Sequence, residues 1–225
     1  MKTLKDHINE ALKIGKNLSE WSAYSCQPET LEELEQIIKD RISKEGPNCD
    51  LNDIDVSLIE DMTGLFFKSE FNGDISEWYT RNVKNMEWMF SRSYFNGDIS
   101  NWDVSNVKNI KGIFSQSHFN GDISRWNTSI VEDMAYAFSK SRFNGDISKW
   151  DVSSVKNMGG MFDESKFNGD ISKWNVSKVE NMSSMFAHSD FNKDISKWNV
   201  SKVEHMSCMF TECPIREEYK PKSLQ

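Results

Sequence analysis

Apolar and polar positions along this chain recur with a fixed period. Phe-Asn-Gly-Asp-Ile-Ser begins at Phe71, Phe95, Phe119, Phe143 and Phe167 and returns as Phe-Asn-Lys-Asp-Ile-Ser at Phe191, each start 24 residues from the last. A fixed repeat of this length is the signature of a stack of coils, each burying its apolar face against its neighbours. On the same phase, residues 47–70 supply Leu51, Val56, Ile59, Met62, Leu65 and Phe66 at matching positions, so seven coils start at Pro47, Phe71, Phe95, Phe119, Phe143, Phe167 and Phe191. The pattern decays at Thr211-Glu212-Cys213-Pro214, where proline can neither continue a helix nor donate to a ladder.

Residues 95–118 stand for all the coils. Asn96-Gly97-Asp98 is turn chemistry, because Asn and Gly tolerate positive φ. Ile99, Trp102 and Val104 are apolar and β-prone, with Asp103 facing the other way. The three-residue step from Ile99 to Trp102 predicts a short strand with a kink near Ser100. Ser105 is then placed to cap a short helix that turns Val107, Ile110, Ile113 and Phe114 inward. The expected fold class is therefore an α/β repeat solenoid of about seven 24-residue coils, each a short strand plus a short helix.

Stacking aligns like residues at roughly 4.8 Å, the inter-strand spacing. Trp78, Trp102, Trp126, Trp150, Trp174 and Trp198 make one ladder, and Phe90, Phe114, Phe138, Phe162, Phe186 and Phe210 another. Met86, Met134, Met158, Met182 and Met206 make a third, with Ile110 substituting. A residue repeated in coil after coil is read as core, because a ligand site has no need of the same aromatic six times over.

Ahead of the coils, residues 3–16 carry Leu4, Ile8, Ala11 and Leu12 at helical spacing, and residues 17–29 read as a linker. Thr30 and Glu33 form a capping-box pattern before Leu31, Leu34, Ile37, Ile38 and Ile42, and Gly46-Pro47 supplies the stop. This helix is predicted to close the open N-terminal end of the stack. The organisation is thus N-terminal helices and cap over 1–46, the seven-coil solenoid over 47–214, and a charged tail over 215–225 in which Ile215 and Tyr219 are placed to cover the last coil.

The stretch Val155 to Ser177, read as Val-x-x-Met-x-x-Met-Phe-x-x-Ser-x-Phe-Asn-Gly-Asp-Ile-Ser-x-Trp-Asn-Val-Ser, resembles the BspA-type leucine-rich-repeat proteins, including the repeat domain of unknown function of mycoplasma lipoproteins. The resemblance covers residues 47–214. It implies a right-handed, leucine-rich-repeat-like stack that presents a surface to partners. Many relatives are secreted or surface-attached and adhesin-like. No catalytic motif comes with the family.

The net charge of −8 argues against a nucleic-acid or anionic-membrane binder. Four scattered cysteines do not make a disulfide framework. The N-terminus Met1-Lys2-Thr3-Leu4-Lys5-Asp6-His7 lacks an apolar signal core, and no run is long enough for a membrane span, so the sequence as written predicts a cytoplasmic monomer. Asp74, Asp98, Asp122, Asp146, Asp170 and Asp194 put one carboxylate in each coil, a sparse set for calcium that turn bonding also explains. His205, Cys208 and Cys213 lack a fourth ligand for zinc. No nucleophile elbow, phosphate loop or acid pair stands out, so no enzyme, metal or cofactor is expected.

The informative positions are those the repeat leaves free. The residue before each Trp includes Arg125, Lys149, Lys173 and Lys197, and the residue before each Phe includes Tyr94, His118, Arg142 and Lys166. Stacked, these become stripes, predicting a basic strip for a protein partner with an acidic surface, with Tyr94 and Trp88 as aromatic anchors at its N-terminal end. The expected function is a non-enzymatic protein-interaction module, with a surface adhesin or host-contact protein, if exported, as the alternative and a metal-binding or hydrolytic protein as a third.

Overall fold

The computed structural model of the protein describes residues 24–222. The helix predicted over residues 3–16 lies outside them. Only one α-helix is found among the described residues, α1 at Leu31–Glu45. Thr30 caps it by accepting the Glu33 N–H at 3.2 Å, while the Glu33 carboxylate reaches back to the Glu29 N–H at 2.9 Å, one residue beyond the usual box partner. Gly46 ends it at φ 90°, its N–H bonding Ile42 C=O at 2.8 Å. Leu34 and Ile38 are buried in the core, with Leu31, Ile37 and Ile42 packed beside them, so α1 covers apolar surface at the start of the stack. Part of the expected linker joins the stack too. Ser25 N–H bonds Asp53 C=O at 2.7 Å, and Asp55 N–H bonds Cys26 C=O at 2.9 Å.

The coils stack at the predicted 24-residue phase, but they hold neither strands nor helices. Successive coils meet at isolated parallel β-bridges, Asp61 to Asn85, Asn85 to Asn109 and onward to His205, with a second bridge from Asp50 to Asp74 between the first two coils. The α/β assignment, and with it the leucine-rich-repeat-like coil of strand plus helix, is therefore corrected to a stack of turns.

The reason lies in a five-residue module that occurs three times in most coils, Tyr79 and His205 standing in place of its Asp or Asn in two of them. In Asp98-Ile99-Ser100-Asn101-Trp102, the Asp98 carboxylate accepts the Ser100 N–H at 2.9 Å while Trp102 N–H bonds back to Ile99 C=O at 3.2 Å. Asp103 to Val107 and Asn109 to Ile113 repeat both bonds. Each module is an Asx turn fused to a β-turn, which puts two apolar residues three apart on the inner side. Spacing of three is also one edge of a helical stripe, so Val107, Ile110, Ile113 and Phe114 mimic a helix while being buried by corners. Ser105 caps nothing; its N–H is itself capped by Asp103.

The ladders stand as expected in content. Trp78 and Trp102 rings lie 6.2 Å apart at 5°, Phe90 and Phe114 5.7 Å apart at 7°, and Phe95 and Phe119 6.3 Å apart at 2°. These centroids exceed the expected 4.8 Å backbone rise because parallel rings slide sideways into offset stacks. Each indole also donates to the preceding coil, as Trp126 Nε1 does to Ile99 C=O at 3.1 Å. Asn72, Asn96, Asn120, Asn144, Asn168 and Asn192 form a further ladder: the Asn96 N–H bonds Asn72 Oδ1 at 2.7 Å, and the last rung runs from Arg216 N–H to Asn192 Oδ1 at 3.3 Å. Gly97 does not adopt positive φ, contrary to expectation. A Cβ at Gly97 would come within 2.8 Å of the Phe95 ring, so glycine lets the turn close tightly on it, although Lys193 takes the same position in the last coil.

A third set of bonds gives the stack a direction. Met62 N–H bonds Asn85 C=O at 2.9 Å, and Met86 N–H, in the same peptide group as that carbonyl, bonds Asn109 C=O at 2.9 Å. The row continues head to tail to Met182 N–H on His205 C=O at 2.7 Å. Rows through Gly64, Phe66 and Lys68 run parallel to it with the same sense, while a row from Lys84 N–H on Glu60 C=O to Glu204 N–H on Glu180 C=O, and a weaker one through Tyr94 and His118, run the opposite way. After Pro214 the chain begins another coil and leaves it. Ile215, on the phase of Phe71, is buried, Tyr219 C=O accepts Ile195 N–H at 2.9 Å, and a short 3-10 helix follows at Glu217–Tyr219.

Candidate functional site

Two columns of left-handed residues run along one side of the stack. The first is Gly64, Trp88, Gly112, Tyr136, Gly160, Ser184 and Cys208, with φ between 53° and 68°. The second is Lys68, Arg92, Gln116, Lys140, Glu164, His188 and Glu212, with φ between 51° and 58°. Overlapping turns impose these dihedrals: Leu65 N–H bonds Met62 C=O and Ser69 N–H bonds Phe66 C=O, with Gly64 and Lys68 third in their turns. Glycine takes such a conformation without strain, whereas a bulky side chain pays roughly 1–2 kcal/mol. Trp88 and Tyr136 therefore stand where the backbone favours glycine.

Between the columns lies a groove of about 680 Å³. Its floor includes Ser91, Ser115 and Ser139, its first wall Trp88 and Tyr136, its second wall Arg92, Gln116 and Lys140, and its N-terminal end Phe67 with Glu35 of α1. Phe67 is 45% exposed and Tyr136 43%. The Trp88 and Tyr136 rings lie 6.2 Å apart at 23°. Each leans over a glycine one coil on: a Cβ on Gly112 would sit 2.0 Å from the indole, and one on Gly160 2.4 Å from the Tyr136 ring.

The indole is held in place by charge. Trp88 Nε1 donates to Glu87 Oε1 at 3.0 Å, and Glu87 is fixed by Lys111 at 2.9 Å and by Asn109 Nδ2 at 3.0 Å. Burial raises the Glu87 pKa, but these bonds outweigh it and hold the carboxyl below its ordinary value. On the opposite wall Lys140 pairs with Glu164 at 2.8 Å, which raises the lysine's pKa. Burial, then the neighbouring Glu164 charge, push Asp163 at the groove's far end above its ordinary value. The groove thus sets two aromatic faces opposite Arg92 and Lys140, with the carboxyl groups of Glu35 and Asp163 at its two ends.

The nine residues singled out by sequence fall on three separate columns. Trp88 lines the groove. Tyr94 and His118 meet edge-on at 4.7 Å on a neighbouring column that continues through Arg142 to Lys166, which is paired with Asp190 at 3.1 Å. Arg125, Lys149, Lys173 and Lys197 are exposed on a third column, three residues after Asp122, Asp146, Asp170 and Asp194. Those carboxylates accept Ser N–H bonds that, with the nearby cations, hold their pKa values low. The strip is therefore interleaved with acid and is not a field of one sign. Phe67, Tyr136, Arg92 and Lys140 were missed. Comparing the column of Gly64 coil by coil exposes Tyr136 as a departure, a signal the columns before Phe and Trp do not carry.

Among the described residues, no group of three His, Cys, Asp or Glu is arranged to hold a metal ion, and no helix is long and apolar enough to cross a membrane. Burial raises the pKa of Cys213, whose Sγ lies 3.2 Å from Phe191 C=O, and Cys208 is exposed. A family model described as "Mycoplasma protein of unknown function, DUF285" matches residues 32–142 and again 117–219. No curated protein and no solved structure matches the chain.

Proposed function

We propose that this chain, which belongs to the DUF285 family of Mycoplasma proteins of unknown function, is a non-enzymatic protein-interaction module whose partner lies in the Trp88–Tyr136 groove. The observation that carries the reading is the pair of large aromatics kept at left-handed positions that glycine fills in the coils on either side. Such strain persists where the side chain, and not the backbone, supplies the advantage. Trp, Tyr and Arg are also the residues that dominate binding energy at protein interfaces, and Trp88, Tyr136 and Arg92 line one groove here. Arg92 and Lys140, the two cations that line the groove, favour a partner segment carrying an acidic residue beside an apolar anchor. The resemblance to BspA-type proteins, with their adhesin-like relatives, supports binding over catalysis.

A displayed peptide library selected on the wild-type protein tests this. Peptides that bind the wild type lose about 30-fold or more on a Trp88→Gly, Tyr136→Gly variant, the effect of removing about 2 kcal/mol of anchor. The same variant keeps its unfolding temperature, since glycine is native to that column. Reversing charge at Arg125, Lys149, Lys173 and Lys197 leaves binding unchanged. Peptides that ignore the groove change, or that are lost on the charge reversal, overturn the assignment.

A further inference from the structure

The aligned peptide rows end at the last coil. There, among the described residues, the N–H groups of Met206, Cys208, Phe210 and Glu212 have no acceptor, whereas their counterparts one coil earlier, Met182, Ser184, Phe186 and His188, bond His205, Ser207, Met209 and Thr211 carbonyls at 2.7–3.0 Å. From Met206 to Glu212 the edge is all donor, and the acceptor beside it is Glu204 C=O, whose counterpart Glu180 C=O accepts the Glu204 and His205 N–H groups. The carbonyls of Met206, Cys208 and Phe210 are turned inward, accepting Met209, Thr211 and Cys213 N–H groups. The four rows that end at Met206, Cys208, Phe210 and Glu212 place their positive poles at this edge, as a helix does at its N-terminus.

Apolar surface accompanies the donors. Val179, Met182 and Phe186 are fully buried, but Val203, Met206 and Phe210 at the same positions are only partly so. The chain after Pro214 covers a different part of the last coil, through Arg216 on Asn192 and Tyr219 on Ile195, and leaves residues 203–212 open. The opposite end is closed by α1, so the two ends are not alike.

We propose that this open edge docks a coil of the same repeat type carried by a partner polypeptide, which accepts four main-chain hydrogen bonds from Met206, Cys208, Phe210 and Glu212. The argument is electrostatic complementarity. A flat β-strand presents N–H and C=O groups in alternation along either edge, so its own donors would face this row. A segment folded like these coils matches it. Asn181, Ser183, Met185 and Ala187 turn carbonyls toward the coil before them, where they meet four donors. The Glu180 and Asn181 N–H groups meet the Lys156 carbonyl, the counterpart of Glu204 C=O at the open edge. Two copies of this chain joined at their C-terminal edges would set donors against donors. Joined end to start, the second copy's first coil lies under α1.

The test is amide hydrogen exchange on the full chain with a synthetic peptide copying residues 181–192. At saturating peptide, exchange at Met206, Cys208, Phe210 and Glu212 slows at least about tenfold, the equivalent of 1.4 kcal/mol of protection. A scrambled peptide or inorganic phosphate has no effect, and Phe210→Glu abolishes the protection while its own circular dichroism is unchanged. No slowing at the four amides overturns the proposal. So does equal slowing by the scrambled peptide or by phosphate, or slowing that grows with protein concentration alone, which makes the occupant a second copy.

Discussion

At the scale of single residues, the ladder positions hold two kinds of bond at once. Trp126 is 4% exposed and also gives its indole N–H to Ile99 C=O at 3.1 Å. Trp126→Ala loses the buried ring and is expected to destabilise the protein by about 3–5 kcal/mol. Trp126→Phe keeps most of the apolar surface but strands the carbonyl, at about 1–3 kcal/mol. Denaturant unfolding of the two variants separates the contributions. Equal stability of Trp126→Phe and wild type rules out a contribution from the hydrogen bond. The ladders were legible from sequence because identity at a fixed period requires only counting. The indole's acceptor was not, because a neighbouring coil's carbonyl direction depends on turn geometry.

At the scale of the element, the working unit is the Asx turn. Asp74, Asp146 and Asp170 each accept the N–H of the serine two residues on, and this bond is the first cause of their lowered pKa values. A carboxylate whose folded pKa is depressed contributes stability that is present above its unfolded value, near 3.8, and is lost as pH falls through the lower folded value. Thermal unfolding followed downward from pH 5 should therefore show a decline that begins near 3.8 and steepens below it. Changing the three to Asn keeps an acceptor in place and removes the charge, so the variant's curve is flatter. An unchanged slope would separate these carboxylates from the acid response. The sequence marked these turns correctly as Asx chemistry but read the spacing of three as strand and helix. Two apolar residues three apart satisfy a β-turn and a helical turn equally, and only main-chain bonding to the next coil separates them.

At the scale of the whole molecule, α1 was legible from its cap and stripe, and the phase of the stack from its words. The groove was not, because it is made from left-handed columns, and no residue type marks a left-handed position that Trp, Lys, Glu and Gly all occupy. Its strongest clue, Tyr136 beside Gly112 and Gly160, appears only when free positions are compared coil against coil. The directed rows of peptide groups were likewise hidden, since every residue supplies the same backbone. They give a molecule built of near-identical coils two unlike ends.

The asparagine ladder also bears on how the protein ages. Asn-Gly is the dipeptide most prone to lose ammonia, since the glycine nitrogen can attack the unhindered side-chain amide, and this chain carries it at residues 72, 96, 120, 144 and 168. Here each of those amides is pinned by a main-chain N–H from the following coil, at 2.7–2.9 Å, which holds it away from the attacking geometry. Folded protein incubated at mildly alkaline pH should keep an intact mass, while protein unfolded in urea accumulates the mass gain of succinimide hydrolysis. Equal rates in the two states would mean that the pinning does not protect. The most fragile dipeptide in the chain is thus kept durable by the stacking it helps to build.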